Sequence, residues 1–345
     1  MSTANLDGAD LLAALEGGLI NEDVMQLISD ISDFPLVFSG MIGTDSHKNP
    51  YTEWTKDELA DPDLTNAVID GSDQSNDDSS LGDREGNHSQ TSVKQVKVSM
   101  RANATDNIGR AREVSYQLAR RTTELRRDME AIMAAEQASI ADDGNAVAGL
   151  SASLASWLTT NTFRGVTGAD GGFGATSPTI VDAPTLGTKR GLTETLVRDA
   201  AQSAYEAGGN PDMLMMVPAV TRKLSEFMFD ASARIGIQQT QTGKETVASK
   251  AIGSVNVFVS DFGSVLKFTP NRLQPTYVDV DVSTVFLIDP AGLRHSFLTG
   301  VHADQLAKTG LSEDWLASAD WTLKVLNEAQ HALIADIDST VDVIA

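Results

Sequence analysis

The chain has 345 residues, and 41% of them are hydrophobic, which is enough to build a buried core. Its formal net charge is −22, which excludes binding to DNA phosphates or to an anionic membrane through overall charge. The absence of cysteine excludes disulfides and thiolate metal sites and is typical of a protein made in a reducing cytosol. No apolar stretch approaches the length of a membrane span, and MSTANLDGADLL lacks the basic start of a signal peptide.

The segment from residue 49 to residue 104 is predicted to leave the body of the protein and return to it. Between residues 57 and 85, ten acidic residues stand against one arginine, and the centre, DGSDQSNDDSSLGDREG, has almost nothing to bury. The following stretch, TSVKQVKVSMRA, alternates valines with polar residues and predicts the returning strand. Residues 1–48 hold short apolar clusters at helical spacing without an evident partner in the sequence.

A long amphipathic helix is predicted from residue 107 to residue 140. No proline interrupts this segment, and the run DDGNAVAG marks its end. One apolar stripe at helical spacing consists of Leu118, Leu125, Met129, Ile132 and Met133.

The polar face of this helix is basic, because seven arginines stand against three acidic residues between positions 101 and 127. The simplest interpretation is a solvated face with the i,i+4 pairs Arg120–Glu124 and Arg126–Glu130. A DNA-binding interpretation requires base-reading residues and a basic domain, and neither is present.

The rest of the chain mixes helices and strands without a regular βαβ rhythm, so the predicted fold class is α+β. LTETLVRDAAQSAYEAGGNP predicts a helix that begins after Thr193, DMLMMVP predicts a buried strand, and AVTRKLSEFMFD predicts a third helix. Apolar runs on both sides of Asp261-Phe262-Gly263 and of Asp289-Pro290 predict two hairpins. The alternation in DWTLKV predicts a strand, followed by an apolar tail.

No motif indicates catalysis, a cofactor or a metal, and we predict that the protein is not an enzyme. Gly243-Lys244 is followed by Glu245, where a phosphate-binding loop needs serine or threonine. The five histidines are scattered without the spacing of a metal site. An EF-hand loop counted from Asp73 would need a glutamate where Arg84 stands.

The acidic segment lacks a core of its own and complements the basic helix in charge, so we predict that the two meet between neighbouring copies of the chain. The acidic side of this predicted contact is Asp57, Glu58, Asp61, Asp63, Asp70, Asp73, Asp77 and Asp78. The basic side is Arg112, Arg120, Arg121, Arg126 and Arg127 of a neighbouring copy.

The order of several segments resembles a known family. After the acidic excursion these are REVSYQLARRTTELRRDMEAIMAAEQAS, MLMMVPAVTRKLSEFM, VFVSDFGSVLKFTPNR, VFLIDPAGLRHSFL, ADQLAKTG and DWTLKVLNEAQHALI. From about residue 50 onward, the chain resembles the major head proteins of tailed bacteriophages with the Hong Kong 97 capsid fold.

The resemblance implies a division of the chain into parts. Residues 1–48 correspond to the N-terminal arm, 49–104 to the extended E-loop, 105–190 to the peripheral domain with its spine helix at 107–140, 191–300 to the axial domain, and 301–345 to the return strand of the peripheral domain and the C-terminus. Self-cross-linking through a lysine, which some members of the fold carry out, is left open.

The resemblance also implies a structural function. Copies of the chain are expected to self-assemble as hexamers and pentamers into the icosahedral head that encloses the double-stranded DNA genome of a tailed phage, and to do so in the cytoplasm of the bacterial host. The implied partners are further copies, a separate scaffolding protein, a portal and a decoration protein, with no sequence-specific DNA contact and no membrane. Two alternatives stay open: an encapsulin-like shell of a cellular compartment, and an acidic α+β enzyme with an unrecognised active site.

Overall fold

The computed structural model describes residues 34–57, 59, 61–71, 82–105, 112–174, 177–227, 257–277, 281–308 and 310–341. These residues form helices and two main sheets, which confirms the predicted α+β class. The helices are α1 (Val37–Met41), α2 (Met100–Ala104), α3 (Glu113–Met133), α4 (Leu154–Trp157), α5 (Glu194–Glu206) and α6 (Pro218–Phe227). The strands are β1 (Gly43–Ser46), β2 (Tyr51–Lys56), β3 (Asp83–His88), β4 (Gln90–Ser99), β5 (Thr162–Phe163), β6 (Gly172–Gly174), β7 (Ser177–Asp182), β8 (Met213–Met216), β9 (Val257–Val259), β10 (Val265–Pro270), β11 (Val282–Ile288), β12 (Leu293–Gln305), β13 (Ser312–Val325) and β14 (Ala332–Asp338).

A four-stranded sheet in the order β1-β12-β13-β4 forms one layer of the protein. Its longest strand, β13, pairs antiparallel with β12 on one side and with all ten residues of β4 on the other. The predicted returning strand is therefore confirmed as β4. The predicted strand near the C-terminus is confirmed as well, since Trp321, Leu323 and Val325 are fully buried in β13.

A six-stranded mixed sheet in the order β5-β14-β11-β8-β10-β9 forms the second layer. The central strand β8 is buried on both faces, as the run DMLMMVP predicts. Met213 and Met215 pack with α3 and the four-stranded sheet in one core cluster. Leu214 and Met216 pack with α5 and α6 in a second cluster on the opposite face.

The long helix α3 has 21 residues and is about 30 Å long at 1.5 Å per residue. Its apolar stripe is buried as predicted, with Leu125, Met129 and Met133 in the larger core cluster. The predicted span of 107–140 is wrong at its C-terminal end, and residues 107–111 lie outside the described residues. The helix ends at Met133 because the next residues bond elsewhere: the Ser139 amide donates to the Val181 carbonyl (2.8 Å), and Ile140 forms a β-bridge.

Three of the remaining predictions are confirmed and one is wrong. The helix predicted for AVTRKLSEFMFD is α6. The helix after Thr193 is α5, and the Thr193 hydroxyl accepts a hydrogen bond from the Leu196 amide (3.2 Å) as its N-cap. The hairpin around Asp261-Phe262-Gly263 is formed by β9 and β10. The predicted hairpin around Asp289-Pro290 does not form, because β11 and β12 belong to different sheets. The Asp289 carboxylate caps a 3₁₀ turn there, and this turn carries the chain from one layer to the other.

Three histidines of the described residues are buried: His47, His295 and His331. His331 is fully buried, and its Nδ1 accepts a hydrogen bond from the Asp289 amide (3.2 Å). Burial lowers the pKa of His331 to about 4, and burial lowers the pKa of His295 to about 4 as well. Both imidazoles are therefore neutral in the folded protein at pH 7.

We expect the protein to lose stability as the pH falls from about 6.5 to about 4. The unfolded chain binds protons on these histidines in that window and the folded chain does not, which lowers the free energy of unfolding by up to about 3 kcal/mol per histidine at pH 4. His331→Asn, whose side-chain oxygen can replace Nδ1 as the acceptor, should flatten this pH dependence. Chemical denaturation at several pH values measures the slope, and the value at pH 7.5 reports the packing cost separately. An unchanged slope in the variant contradicts the prediction.

Candidate interaction site

The predicted acidic residues lie on the connection between β2 and β3. Asp57, Asp61, Asp63 and Asp70 are described there, and all four are exposed. Hydrogen bonds from the Thr65 hydroxyl and amide lower the pKa of the Asp63 carboxyl, which keeps it ionised. The other four predicted acidic residues, Glu58, Asp73, Asp77 and Asp78, lie outside the described residues.

The predicted arginines do not form one uniform surface. Arg120 and Arg121 both pair with Glu124, which confirms the Arg120–Glu124 pair at 3.3 Å. Arg112 and Arg126 are exposed, and no carboxylate among the described residues forms an ion pair with either of them.

Two features of the basic helix differ from the prediction. The Arg127 guanidinium lies 5.3 Å from the centre of the Phe34 ring, so it is engaged within its own chain. The predicted Arg126–Glu130 pair is wrong, because Glu130 is fully buried and its carboxylate accepts hydrogen bonds from residues 38, 39 and 271. The i,i+4 spacing indicated the pair, but the face on which residue 130 lies is set by the buried stripe.

The described acidic residues do not meet the arginine helix within one chain. Residues 61–71 are all exposed, and no ion pair between described residues joins them to α3. In the single copy, the described residues 61–71 of the acidic side therefore form no ion pair with the described residues of α3.

The acidic connection leaves the body on a two-stranded hairpin of β2 and β3, whose registered pairs run from Tyr51–His88 to Lys56–Asp83. We call β2, the acidic connection and β3 (residues 51–88) the arm; the strand that follows it, β4, belongs to the four-stranded sheet. Trp54 of β2 packs on Trp157 of α4, with the ring centres 5.4 Å apart.

One buried amide anchors this hairpin to the four-stranded sheet. Asn87 is fully buried, and its Nδ2 donates to the Leu323 carbonyl (2.8 Å) while its Oδ1 accepts from the Ala152 amide (3.0 Å). These bonds continue the β4–β13 pairing by a few residues beyond Gln90. The root of the arm is therefore held by specific hydrogen bonds.

A partly buried ion pair also lies on the body-facing side of the hairpin. The Lys56 Nζ is 3.6 Å from a Glu85 carboxylate oxygen. Burial raises the pKa of Glu85, and the Lys56 charge opposes that shift. Glu85 is therefore largely buried and paired with Lys56, whereas Asp61, Asp63 and Asp70 are exposed.

The sequence analysis missed the aliphatic side chains of the arm. Leu59 and Leu64 are 95% and 96% exposed, and Ile69 and Val68 are 83% and 62% exposed. Exposed aliphatic groups that lie close together indicate an interaction surface. The signal was present in the run LADPDLTNAVID, but the surrounding aspartates masked it.

A groove of about 280 Å³ lies between β4 and α3. Val96 and Val98 are buried beneath it, and Lys97 and Arg121 contribute positive charge to its walls. Glu113 also lines the groove, and Lys97 and Arg121 form ion pairs with Asp314 and Glu124, so the charges around the groove are mixed.

Nothing in the described part of the chain suggests catalysis. A cavity of about 550 Å³ at the root of the arm is lined by His88, Asp142 and Asp320 among others. The described residues contain no group of three or more histidine or acidic side chains placed to hold a metal ion. None of the helices in these ranges is both long enough and apolar enough to cross a membrane.

The chain matches a known protein family. Residues 4–338 match the model of the family described as SU10 major capsid protein. The major capsid protein of Escherichia phage Phieco32 is 27% identical over 331 residues, which cover 87% of this chain and 89% of that protein.

Solved structures show the same fold. The capsid protein of a native GTA particle superposes with a TM-score of 0.62 at 12% identity, over 94% of this chain and 98% of that chain. The holo-SrpI encapsulin of Synechococcus elongatus PCC 7942 superposes with a TM-score of 0.58 at 11% identity, over 99% of both chains. A chain from Gordonia phage Cozz gives a TM-score of 0.55 at 12% identity, over 92% of this chain and 91% of that chain.

We expect Asn87→Ala to loosen the root of the arm. The substitution leaves a buried carbonyl and a buried amide without partners, which should lower the free energy of unfolding by about 3 kcal/mol. Asn66→Ala, on the exposed arm, is the control and should change it by less than about 0.5 kcal/mol. Urea denaturation measures both variants, and equal stabilities would contradict the anchoring function of Asn87.

Proposed function

The chain belongs to the SU10 major capsid protein family, and from this premise we propose that its copies assemble as hexamers and pentamers into a closed icosahedral shell. It is a structural protein that forms the capsid of a tailed phage virion, and it is not an enzyme. The match over residues 4–338 is the observation that carries this proposal.

The proposed shell encloses double-stranded DNA without sequence-specific contacts. A net charge of −22 repels DNA phosphates, so a wall built from this chain does not bind the packaged genome tightly. The proposed partners are a separate scaffolding protein, a portal and a decoration protein, and assembly takes place in the cytoplasm of the bacterial host.

In the shell, we assign residues 1–48 to the N-terminal arm, 49–104 to the E-loop, 105–190 and 301–345 to the peripheral domain, and 191–300 to the axial domain. The projecting part of the E-loop is the hairpin and connection between residues 51 and 88. The arm of one copy lies on α3 of a neighbouring copy, where its carboxylates meet the exposed Arg112 and Arg126.

The direction of the strands supports a contact between copies. The N-terminal half of α3 packs near Val96 and Val98, at the end of β4 farthest from the arm. β3 enters the arm beyond the other end of β4, and residues 83 to 96 span roughly 40 Å when extended. The arm therefore leads away from the N-terminal half of α3 in its own copy, whereas the C-terminal half of α3 lies beside Lys94 of β4, which pairs with Asp128 (2.6 Å).

Aliphatic burial supplies most of the proposed contact energy. Burying one leucine or isoleucine side chain contributes about 2 kcal/mol, whereas an exposed ion pair contributes about 0–1 kcal/mol. Leu59, Leu64 and Ile69 are therefore the anchors of the arm, and the carboxylates orient it on the exposed Arg112 and Arg126 of the neighbouring copy.

The second candidate function is the shell of an encapsulin-like cellular compartment. The similarity to the holo-SrpI encapsulin supports it through the fold alone, at 11% identity. The match to the phage capsid family favours the virion.

We expect closed shells, or their hexameric and pentameric parts, in negative-stain images of the purified protein. The yield should fall as salt rises from about 50 mM to about 500 mM, because screening weakens the contact between arm and arginines. In Arg112→Gln/Arg126→Gln the low-salt yield should be lower and should rise with salt, since only repulsion between acidic copies remains. The same salt dependence in both proteins contradicts the charge contact, and a chain that stays monomeric even with scaffolding protein contradicts the shell.

We also expect Leu64→Ser/Val68→Ser to weaken assembly at every salt concentration. Losing about 2 kcal/mol per contact lowers the contact's equilibrium constant roughly thirtyfold. Thr65→Ser/Asn66→Ser is the matched control on the same segment. Light scattering measures assembly, and urea denaturation should give the single chain an unchanged stability, because both substituted side chains are exposed. Normal assembly of Leu64→Ser/Val68→Ser excludes this part of the arm from the contact.

A further inference from the structure

One buried carboxylate holds the beginning of the described chain against the body. Glu130 of α3 is fully buried, and it accepts hydrogen bonds from the Phe38 amide, the Ser39 amide (2.8 Å) and the Ser39 hydroxyl (2.6 Å). The Asn271 side-chain amide donates a fourth bond at 3.1 Å. No cation takes part in these bonds, so the charge depends on the four neutral donors.

Residues 34–41, which we call the strap, are held at two further points. The Phe34 ring has guanidinium groups near it on two sides, with Arg127 at 5.3 Å and Arg272 at 5.0 Å from the ring centre. The Phe38 side chain is fully buried in the larger core cluster.

The strap joins parts of the chain that belong to different layers. Arg127 and Glu130 lie on α3, which packs on the four-stranded sheet. Asn271 and Arg272 directly follow β10 of the six-stranded sheet. The backbone amide of Asn271 donates to the Met216 carbonyl (2.9 Å), which fixes this turn to β8.

We propose that the strap, closed by Glu130, sets the angle between α3 and the six-stranded sheet and thereby the curvature of the assembled shell. This step rests on the proposed function, because one chain must occupy clusters of five and of six that curve differently. If the strap leaves, water must replace its donors at the Glu130 carboxylate. A partial opening is costly because it leaves a buried charge without partners.

Glu130→Gln tests this function of the strap. Glutamine has one accepting oxygen, and its NH₂ group opposes the donors of the strap. We expect hydrogen exchange at the Phe38 and Ser39 amides to become at least about tenfold faster, while amides in the centre of α3 are unchanged. Chymotrypsin should cleave more rapidly after Phe38, whereas Pro35 blocks cleavage after Phe34. Electron microscopy of assembled particles should show several diameters or open sheets instead of one diameter.

Two further variants complete the experiment. Thr123→Ser, at an exposed position of the same helix, should leave strap exchange and particle diameter unchanged. Phe34→Leu removes the ring between the two guanidiniums while keeping Glu130, and should give an intermediate increase in exchange even if Glu130→Gln does not fold.

The possible results separate the two proposals. Unchanged exchange and cleavage of the strap in both Glu130→Gln and Phe34→Leu overturn the function of Glu130 as the closing group. An open strap with a single normal diameter overturns its control of curvature. If the unmodified protein forms no shell, the proposed function fails, while the exchange measurement still reports on the strap.

Discussion

The pairing of β4 with β13 is the constraint on which the arrangement of the protein depends. Because β4 pairs with β13 over ten residues, the chain is extended and rigid between the helix and the arm. The N-terminal half of α3 packs at one end of this strand, and the arm begins at the other. The arm and the N-terminal half of α3 are therefore separated within each copy. A shorter or more flexible β4 would let the arm fold back onto its own helix and satisfy its charges there.

Buried polar side chains hold the arm, the strap and two loops against the helices and strands. Asn87 ties the root of the arm to β13, and Glu130 ties the strap to α3. Asp336 does the same for two loops, since its carboxylate accepts hydrogen bonds from the Gly165 and Gly187 amides, each at 2.8 Å. In each case backbone groups of an irregular segment find their partner in one side chain of a regular element. This arrangement makes the loops specific, because a displaced loop leaves a buried polar group unsatisfied.

Burial patterns within a single helix or strand could be predicted from the sequence. Features that depend on contacts between two elements could not. The stripe of α3, the buried run of β8 and the alternation in β13 follow from burial of one face or of both, and all three are present. The inward position of Glu130 depends on donors 92 and 141 residues away, which no local rule contains. The end of α3 at Met133 and the crossing of the chain near Asp289 likewise follow from tertiary partners. Of the candidate site, the charges were predictable, whereas the exposure of Leu59 and Leu64 required the structure to show that no core receives them.

Electrostatic interactions have two opposite effects on the proposed assembly, a repulsion between whole copies and a local attraction. Each copy carries a charge of −22, so copies repel one another, and salt reduces this repulsion. The arm and the arginines attract one another locally, and salt reduces that attraction too. Neither contribution alone gives a contact that is stable under all conditions, whereas the aliphatic side chains of the arm add a contribution that does not weaken with salt. In the proposed contact, long-range repulsion prevents random association of the copies, local charge selects the correct face, and aliphatic burial retains the arm once it has reached that face. With these three contributions, a copy associates reversibly until several neighbours bind it at once. Reversible association is the condition for correcting errors in a closed shell.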